Sequence, residues 1–370
     1  MIVGTPAEIK DSERRVGLTA ISVRELSAVG HIVIVESGAG LGAGISDSDY
    51  ENAGAKIVSS AADVFGEAEL VVKVKEPQSV ERAMLRPDQM LFTFLHLAPD
   101  LPQTRELIDS GATAIAYETV TSRRGGLPLL APMSKVAGRI SIQAAAWSLE
   151  ATHGGSGMLL GGVPGVAPAK VVIIGGGVVG ENAAQIAIGM GADVTILDRD
   201  LDVLEHLSQR FGAAVRTIYS TTSTLEEYVL DADVVVGAVL VRGAKAPRLV
   251  TAKMVAQMRQ GSVLVDVAID QGGAFETSHA TTHSDPVYIV DGVVHYAVAN
   301  MPGAVPRTST YALTNATLPY VLKLAANGLD ALRADDHFRA GLNVHAGAIT
   351  EPHVAAAHDL EYADPAMALG

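Results

Sequence analysis

Three glycines in the stretch "VVIIGGGVVG" stand at Gly175, Gly177 and Gly180, in G-x-G-x-x-G spacing. After a β-branched run and before a helix-like segment, this spacing serves an anion. The first glycine permits a tight strand-to-helix turn, the second lets backbone approach a pyrophosphate, and the third lets the helix pack closely. Val178 and Val179 open that helix, whose first N–H groups would face the phosphates. Asp198 closes "VTILD" 18 residues after Gly180, the place of an acid that accepts ribose hydroxyls. Its carboxylate would repel the additional phosphate of NADP, so the fingerprint favours NAD. The adjoining Arg199 works against this preference, because a guanidinium can neutralise such a phosphate.

Four further polar residues follow apolar runs: Lys75 ends "ELVVKVK", His96 ends "MLFTFLH", Asp270 follows "SVLVDVAI" and Asn300 closes "VHYAVAN". Ligands of open α/β sheets sit beyond the carboxyl ends of the strands, so these four are candidates for polar binding and proton transfer in one cleft. Taken singly, each has a plainer explanation: a solvated lysine, a packing histidine, an Asp or Asn that caps a turn. Spacing alone therefore stops at a two-domain dinucleotide enzyme.

The elements that must position these groups alternate along the chain. Before the fingerprint, "MIVGT", "HIVIVES", "ELVVKVK", "MLFTFLH" and "TAIAYET" read as strands separated by helix-length amphipathic segments, the pattern of parallel pairing through crossovers. The alternation restarts with "KVVIIG" and runs through "ADVTILD", "AVRTIYS", "ADVVVGAV", "SVLVDVAI" and "VHYAVAN". The expected class is α/β, with two doubly wound Rossmann-like domains joined by long helices. One such helix is expected over residues 129–155 and another over 317–334. The expected division is 1–135 plus 306–370 for a substrate and catalytic domain, and 136–305 for an NAD-binding domain.

Composition narrows the class. The chain has 370 residues, 48% of them hydrophobic, enough for more than one core. A formal charge of −14 would repel a phosphate backbone or an anionic membrane surface, so neither nucleic acid nor membrane is an expected partner. The absence of cysteine excludes disulfides, thiolate metal ligation and a cysteine nucleophile. No His/carboxylate cluster has metal-site spacing, so no metal is expected. Lacking a basic, then apolar, leader, the chain is expected in the cytoplasm.

An ordered series of longer motifs carries more. "ERRVGLT", "VKVKEP", "LFTFLHLA", "AYETV", "PLLAPMSKVAGR", "LLGGVPGVAPAKVVIIGGGVVG", "GAVLVRGAKAPRLV", "LVDVAIDQGG" and "VANMPGAVPRTSTYALTNATLPY" follow one another along essentially the whole chain. In this series the sequence resembles the alanine dehydrogenase family, which also covers the soluble α portion of proton-translocating nicotinamide nucleotide transhydrogenase. The resemblance implies reversible, NAD-linked oxidative deamination of L-alanine to pyruvate and ammonium by a homohexamer. It implies that Arg15 and Lys75, with Asn300, bind substrate and that His96 and Asp270 are the acid/base groups. Ser134, Asp198, Ser220, Val239, Leu240, Val267, Ala268, Ile269, Asp270, Val298, Ala299, Asn300 and Met301 would join the fingerprint as cofactor contacts. Three positions depart from the family: Arg199 after the ribose acid, Val203 where some relatives carry a basic residue, and His279 in place of an arginine.

Overall fold

The computed structural model describes residues 1–239 and 246–370; Leu240 therefore lies outside the described residues. The chain forms two compact units, Met1–Met133 with Val305–Gly370, and Ser134–Ala304.

The first unit begins with β1 (Ile2–Thr5), β2 (Ile32–Glu36), β3 (Lys56–Val58), β4 (Leu70–Val72), β5 (Met90–Thr93) and β6 (Thr113–Ala116). The second contains β7 (Lys170–Ile174), β8 (Asp193–Asp198), β9 (Val215–Tyr219), β10 (Val234–Gly237), β11 (Val263–Asp266), β12 (Val287–Val290) and β13 (Val293–Tyr296). The tail returns to the first sheet with β14 (Leu342–His345) and β15 (Ala348–Ile349). Strand orders are β15-β14-β6-β5-β4-β1-β2-β3 and β12-β13-β11-β10-β7-β8-β9. In each sheet the winding reverses beside the first strand, between β1 and β4 and between β7 and β10, and the strands on both sides are parallel. This is the expected doubly wound class, and a reversal of this kind opens a crevice at the carboxyl ends of the strands.

Residue type accounts for these elements locally. β4, β5, β7 and β10 are continuous apolar or β-branched runs because both faces are covered. The first core gathers Ile34, Val64, Phe65, Leu91, Leu107 and Val344, the second Val172, Leu197, Val229, Leu264 and Phe275. Each such side chain contributes about 1.5–3 kcal/mol by leaving water. Helix Asp47–Ala53 starts on a Ser46/Asp49 capping box and stops at Gly54, whose φ of 105° suits glycine.

Two expectations need correction, and one strand was not foreseen. The helix expected over 129–155 covers Ala131–Ser148; a 3-10 turn, Ala151–His153, and left-handed Gly154 follow it. The second long helix begins earlier, at Pro306, because proline is preorganised for a first helical position, and it ends at Asn327 before Gly328. Strand β13 also has an antiparallel partner, β12, joined through Asp291 and Gly292 at φ 50° and 77°. Two positive φ values match a tight primed hairpin turn, whose Asp-Gly signal stands in "VYIVDGVVHY".

Candidate active site

In the first unit, adjacency in the sheet gathers residues that are far apart in sequence. Val72 pairs with Phe92 across parallel β4 and β5, so Lys75 and His96 follow the same ends of neighbouring strands. The Thr93 hydroxyl donates to the Lys75 carbonyl at 2.9 Å, and the Phe94 N–H donates to the Val74 carbonyl at 3.2 Å, extending the register towards both residues. Lys75 is half-buried. Burial pushes the neighbouring Glu76 carboxyl up, but Lys75 and a hydrogen bond from Lys10 outweigh it and hold the group below its ordinary value.

His96 adopts φ 49°, an unusual conformation for a residue with a Cβ. Glu118, just beyond β6, holds it there. Its carboxylate accepts the His96 N–H at 2.6 Å and the Leu95 N–H at 3.1 Å. The imidazole Nδ1 lies 3.8 Å from the same carboxylate, and the ring is parallel to Phe94 at 5.7 Å between centroids. With its side chain 45% exposed, His96 remains accessible for proton exchange.

Arg15 is a buried residue. Its guanidinium donates through Nε to Glu13 Oε1 at 2.7 Å and through Nη2 to Glu13 Oε2, with Nη1 3.0 Å from Met133 Sδ. The two-pronged carboxylate pair fixes the plane of the guanidinium and compensates its buried charge.

In the second unit, the predicted cofactor residues among those described lie near carboxyl strand ends, except Ser134, which lies on helix Ala131–Ser148. Gly175 has φ 102°, and a Cβ there would meet the Ala238 carbonyl oxygen at 2.8 Å, across the reversal between β7 and β10. A Cβ on Gly180 would strike the Gly175 carbonyl, which accounts for the third glycine. At Gly177 the added Cβ would meet nothing within 4 Å. Helix Val178–Gly189 starts from Gly177 without a side-chain cap. Open space in front of an uncapped helix start is what a pyrophosphate requires, so these residues fit a dinucleotide.

Asp198, at the end of β8, accepts the Gly176 N–H at 2.6 Å and the Asp200 N–H at 2.9 Å. Ser220, after β9, donates its N–H to the Asp198 carbonyl at 2.8 Å. Ser134 stands one turn before Gly138, whose added Cβ would strike the Val179 carbonyl; that helix face therefore runs past the fingerprint. Val239 follows β10, and Val267, Ala268 and Ile269 follow β11. Val298, Ala299 and Met301 surround Asn300 beyond β13. Asp270 and Asn300 meet directly: the Asn300 N–H donates to the Asp270 carboxylate at 3.2 and 3.3 Å, with Asn300 at φ 57°.

The departures also have structural roles. Val203 lies under the glycine loop, 2.7 Å from where a Gly176 Cβ would stand, and Arg199 is exposed. The His279 ring stacks on Tyr288 with 3.7 Å between centroids.

Four acidic residues at these strand ends were absent from the predicted site: Glu8, Glu13, Glu118 and Asp266. Asp266 is buried and accepts N–H groups from Ala268 at 3.1 Å and Ala274 at 2.9 Å, shaping the loop that carries Asp270. Burial pushes its carboxyl up, opposed by hydrogen bonds from Ser278 and the surrounding amides. Glu13 and Glu118 lie inside the motifs "ERRVGLT" and "AYETV", the only sequence signal for either.

Comparison with known proteins agrees with this architecture. Residues 4–137 match the alanine dehydrogenase/PNT N-terminal domain and residues 141–352 match the alanine dehydrogenase/PNT C-terminal domain. Alanine dehydrogenase of Halomonas elongata is 58% identical, with 100% of both chains covered. A solved L-alanine dehydrogenase superposes with a TM-score of 0.94 at 54% identity, covering 97% of this chain and 99% of the other. The transhydrogenase from Sinorhizobium meliloti gives 0.80 at 26% identity, covering 95% and 99%. The chain therefore belongs to the alanine dehydrogenase/PNT family, oxidoreductases with a dinucleotide-binding fold.

Proposed function

We propose that this chain is an NAD-dependent L-alanine dehydrogenase, reversibly converting L-alanine and water to pyruvate and ammonium. The observation that carries the reading is a group of strand-end residues in each unit of a chain whose full-length relatives are named alanine dehydrogenase. The first unit sets Lys75 and His96 on adjacent strand ends and also holds Arg15; the second sets open Gly177 before an uncapped helix. Gly175, Gly177, Val178, Val179 and Gly180 would hold the pyrophosphate, and Asp198 the ribose hydroxyls. A carboxylate at Asp198 supports NAD over NADP.

NAD, when bound, takes up the hydride that leaves the substrate Cα. The remaining chemistry belongs to side chains. Arg15 and Lys75 grip the substrate carboxylate and orient Cα. His96 accepts a proton from the water that attacks the substrate iminium carbon, and returns it to the departing amine as the C–N bond breaks. Asp270 is the second proton handler or the electrostatic partner of the iminium, and the Asn300 N–H orients its carboxylate. Lys75 also stabilises the developing oxygen charge.

The same reading proposes a cytoplasmic homohexamer that accepts glycine and glyoxylate as side substrates, since a missing methyl costs only about 1–3 kcal/mol of discrimination. NADH formation from purified protein, NAD and L-alanine at mildly alkaline pH tests the activity. D-alanine, L-lactate and NADP should give little or none, and preferred turnover of lactate would replace the amino acid by a hydroxy acid.

A further inference from the structure

The loop after β1 presents a buried carboxylate to the strand end that carries Lys75. The Glu8 side chain is buried, only 2% exposed. Its Oε1 accepts the Val74 N–H at 2.6 Å and the Lys75 N–H at 3.4 Å, while Oε2 accepts from Lys73 Nζ at 3.1 Å. Lys73 is itself fully buried and donates to Glu81 Oε1 at 2.7 Å. The other Glu81 oxygen accepts the Gln78 N–H at 2.7 Å. Two residues beyond Glu8, Lys10 pairs with Glu76. Residues 8 and 10 thus grip the chain before and after Lys75, and the same loop continues to Arg15.

The chemistry at Glu8 is one-sided, because Val74 N–H, Lys75 N–H and the Lys73 ammonium are all donors. An ionised carboxylate accepts from all three, and Lys73 and the Val74 amide oppose the burial that pushes the Glu8 carboxyl up. A glutamine would turn its amide N–H groups towards either the backbone amides or Lys73, leaving a donor against a donor.

We propose that Glu8 is a positioning residue for substrate binding: it fixes the backbone at Lys75 relative to the loop carrying Arg15, so that both cations engage one substrate carboxylate. This inference rests on the reading of Lys75 and Arg15 as carboxylate anchors. An anchor that grips substrate and transition state alike is expressed in KM more than in kcat.

The test is a double-mutant cycle on the full chain, with Glu8→Gln, Lys75→Ala and the double variant. It reads kcat, KM and kcat/KM for pyruvate, NADH affinity and Tm. Glu8→Gln should raise KM for pyruvate about tenfold while kcat falls less than twofold and NADH affinity holds, a loss of about 1.4 kcal/mol in substrate binding. In the Lys75→Ala background the same change should lower kcat/KM less than twofold, because its effect passes through Lys75. Glu8→Asp, which keeps the charge but withdraws it by one methylene, should shift KM in the same direction and serves if Glu8→Gln does not fold. An unchanged KM in both Glu8 variants, an equal penalty in both backgrounds, or a parallel loss of NADH affinity would overturn the proposal. Lys75→Ala leaving KM unaltered would instead remove the anchor reading itself, a result visible without any Glu8 variant.

Discussion

Replacing Gly177 by alanine separates folding from cofactor binding, because of the three fingerprint glycines it is the one whose added Cβ meets open space. Its φ of −67° and ψ of −165° are accessible to alanine, and no atom lies within 4 Å of the new carbon. Reduced freedom of the unfolded chain should then stabilise the protein by about 0.4–1 kcal/mol. For a chain of this size that is a Tm rise of about one to three degrees. The methyl would nevertheless stand where the pyrophosphate must approach the helix N–H groups. Losing one hydrogen bond to a charged phosphate costs about 1.5–3 kcal/mol, which weakens dinucleotide affinity about 10- to 150-fold. Gly180→Ala is the contrast, since its Cβ strikes the Gly175 carbonyl and should lower both stability and affinity. Fluorescence titration with NADH and thermal unfolding of the same preparations read the two effects. A Gly177→Ala protein that is more stable yet binds NADH as before would show that the phosphates do not lie at this loop, and the fingerprint argument would fail.

His96→Ala should retain NADH affinity within about twofold while turnover falls about 10²–10⁴-fold; undiminished turnover removes the proposed proton carrier. Arg15→Met should raise KM for pyruvate and also lower Tm, because it removes the guanidinium that compensates the buried Glu13 charge, a loss of about 3–5 kcal/mol; an unchanged Tm would contradict the buried pair. Burial lowers His295 and His345 from their ordinary value of 6.5. The unfolded chain therefore binds more protons below that pH. Their contribution to stability is complete above pH 6.5 and is lost as pH falls, so Tm should drop between pH 7 and 5, and His295→Gln should flatten the profile. A profile with the same slope in that variant would assign the loss to other groups.

The parts of the fold written in local pattern were legible in sequence. Continuous β-branched runs mark β4, β7 and β10 because strands covered on both faces need no alternation. The fingerprint's glycines can be assigned separate tasks because each answers a different steric demand within a few residues. The hairpin of β12 and β13 was missed despite Asp291-Gly292 and the apolar run of Val287–Val290; β12 stays partly exposed where β13 is buried. Glu8 and Glu118 were invisible as site residues for a different reason. Glu8 reaches Lys73 across 65 positions only because β1 lies beside β4, and Glu118 reaches His96 only because β6 lies beside β5. Such neighbours follow from sheet order, which spacing along the chain does not encode. Lys75 and His96 could be singled out because they follow recognisable strands; the carboxylates that hold their backbones arrive from other loops.

The central claim, hydride transfer from Cα of L-alanine to NAD, is tested most directly with L-alanine deuterated at Cα. The account predicts one deuterium in the reduced dinucleotide for each pyruvate and each ammonium formed, read by mass spectrometry of a single reaction. Pyruvate and ammonium appearing without deuterium in the dinucleotide, or no product from L-alanine under conditions where NADH binds, would contradict it.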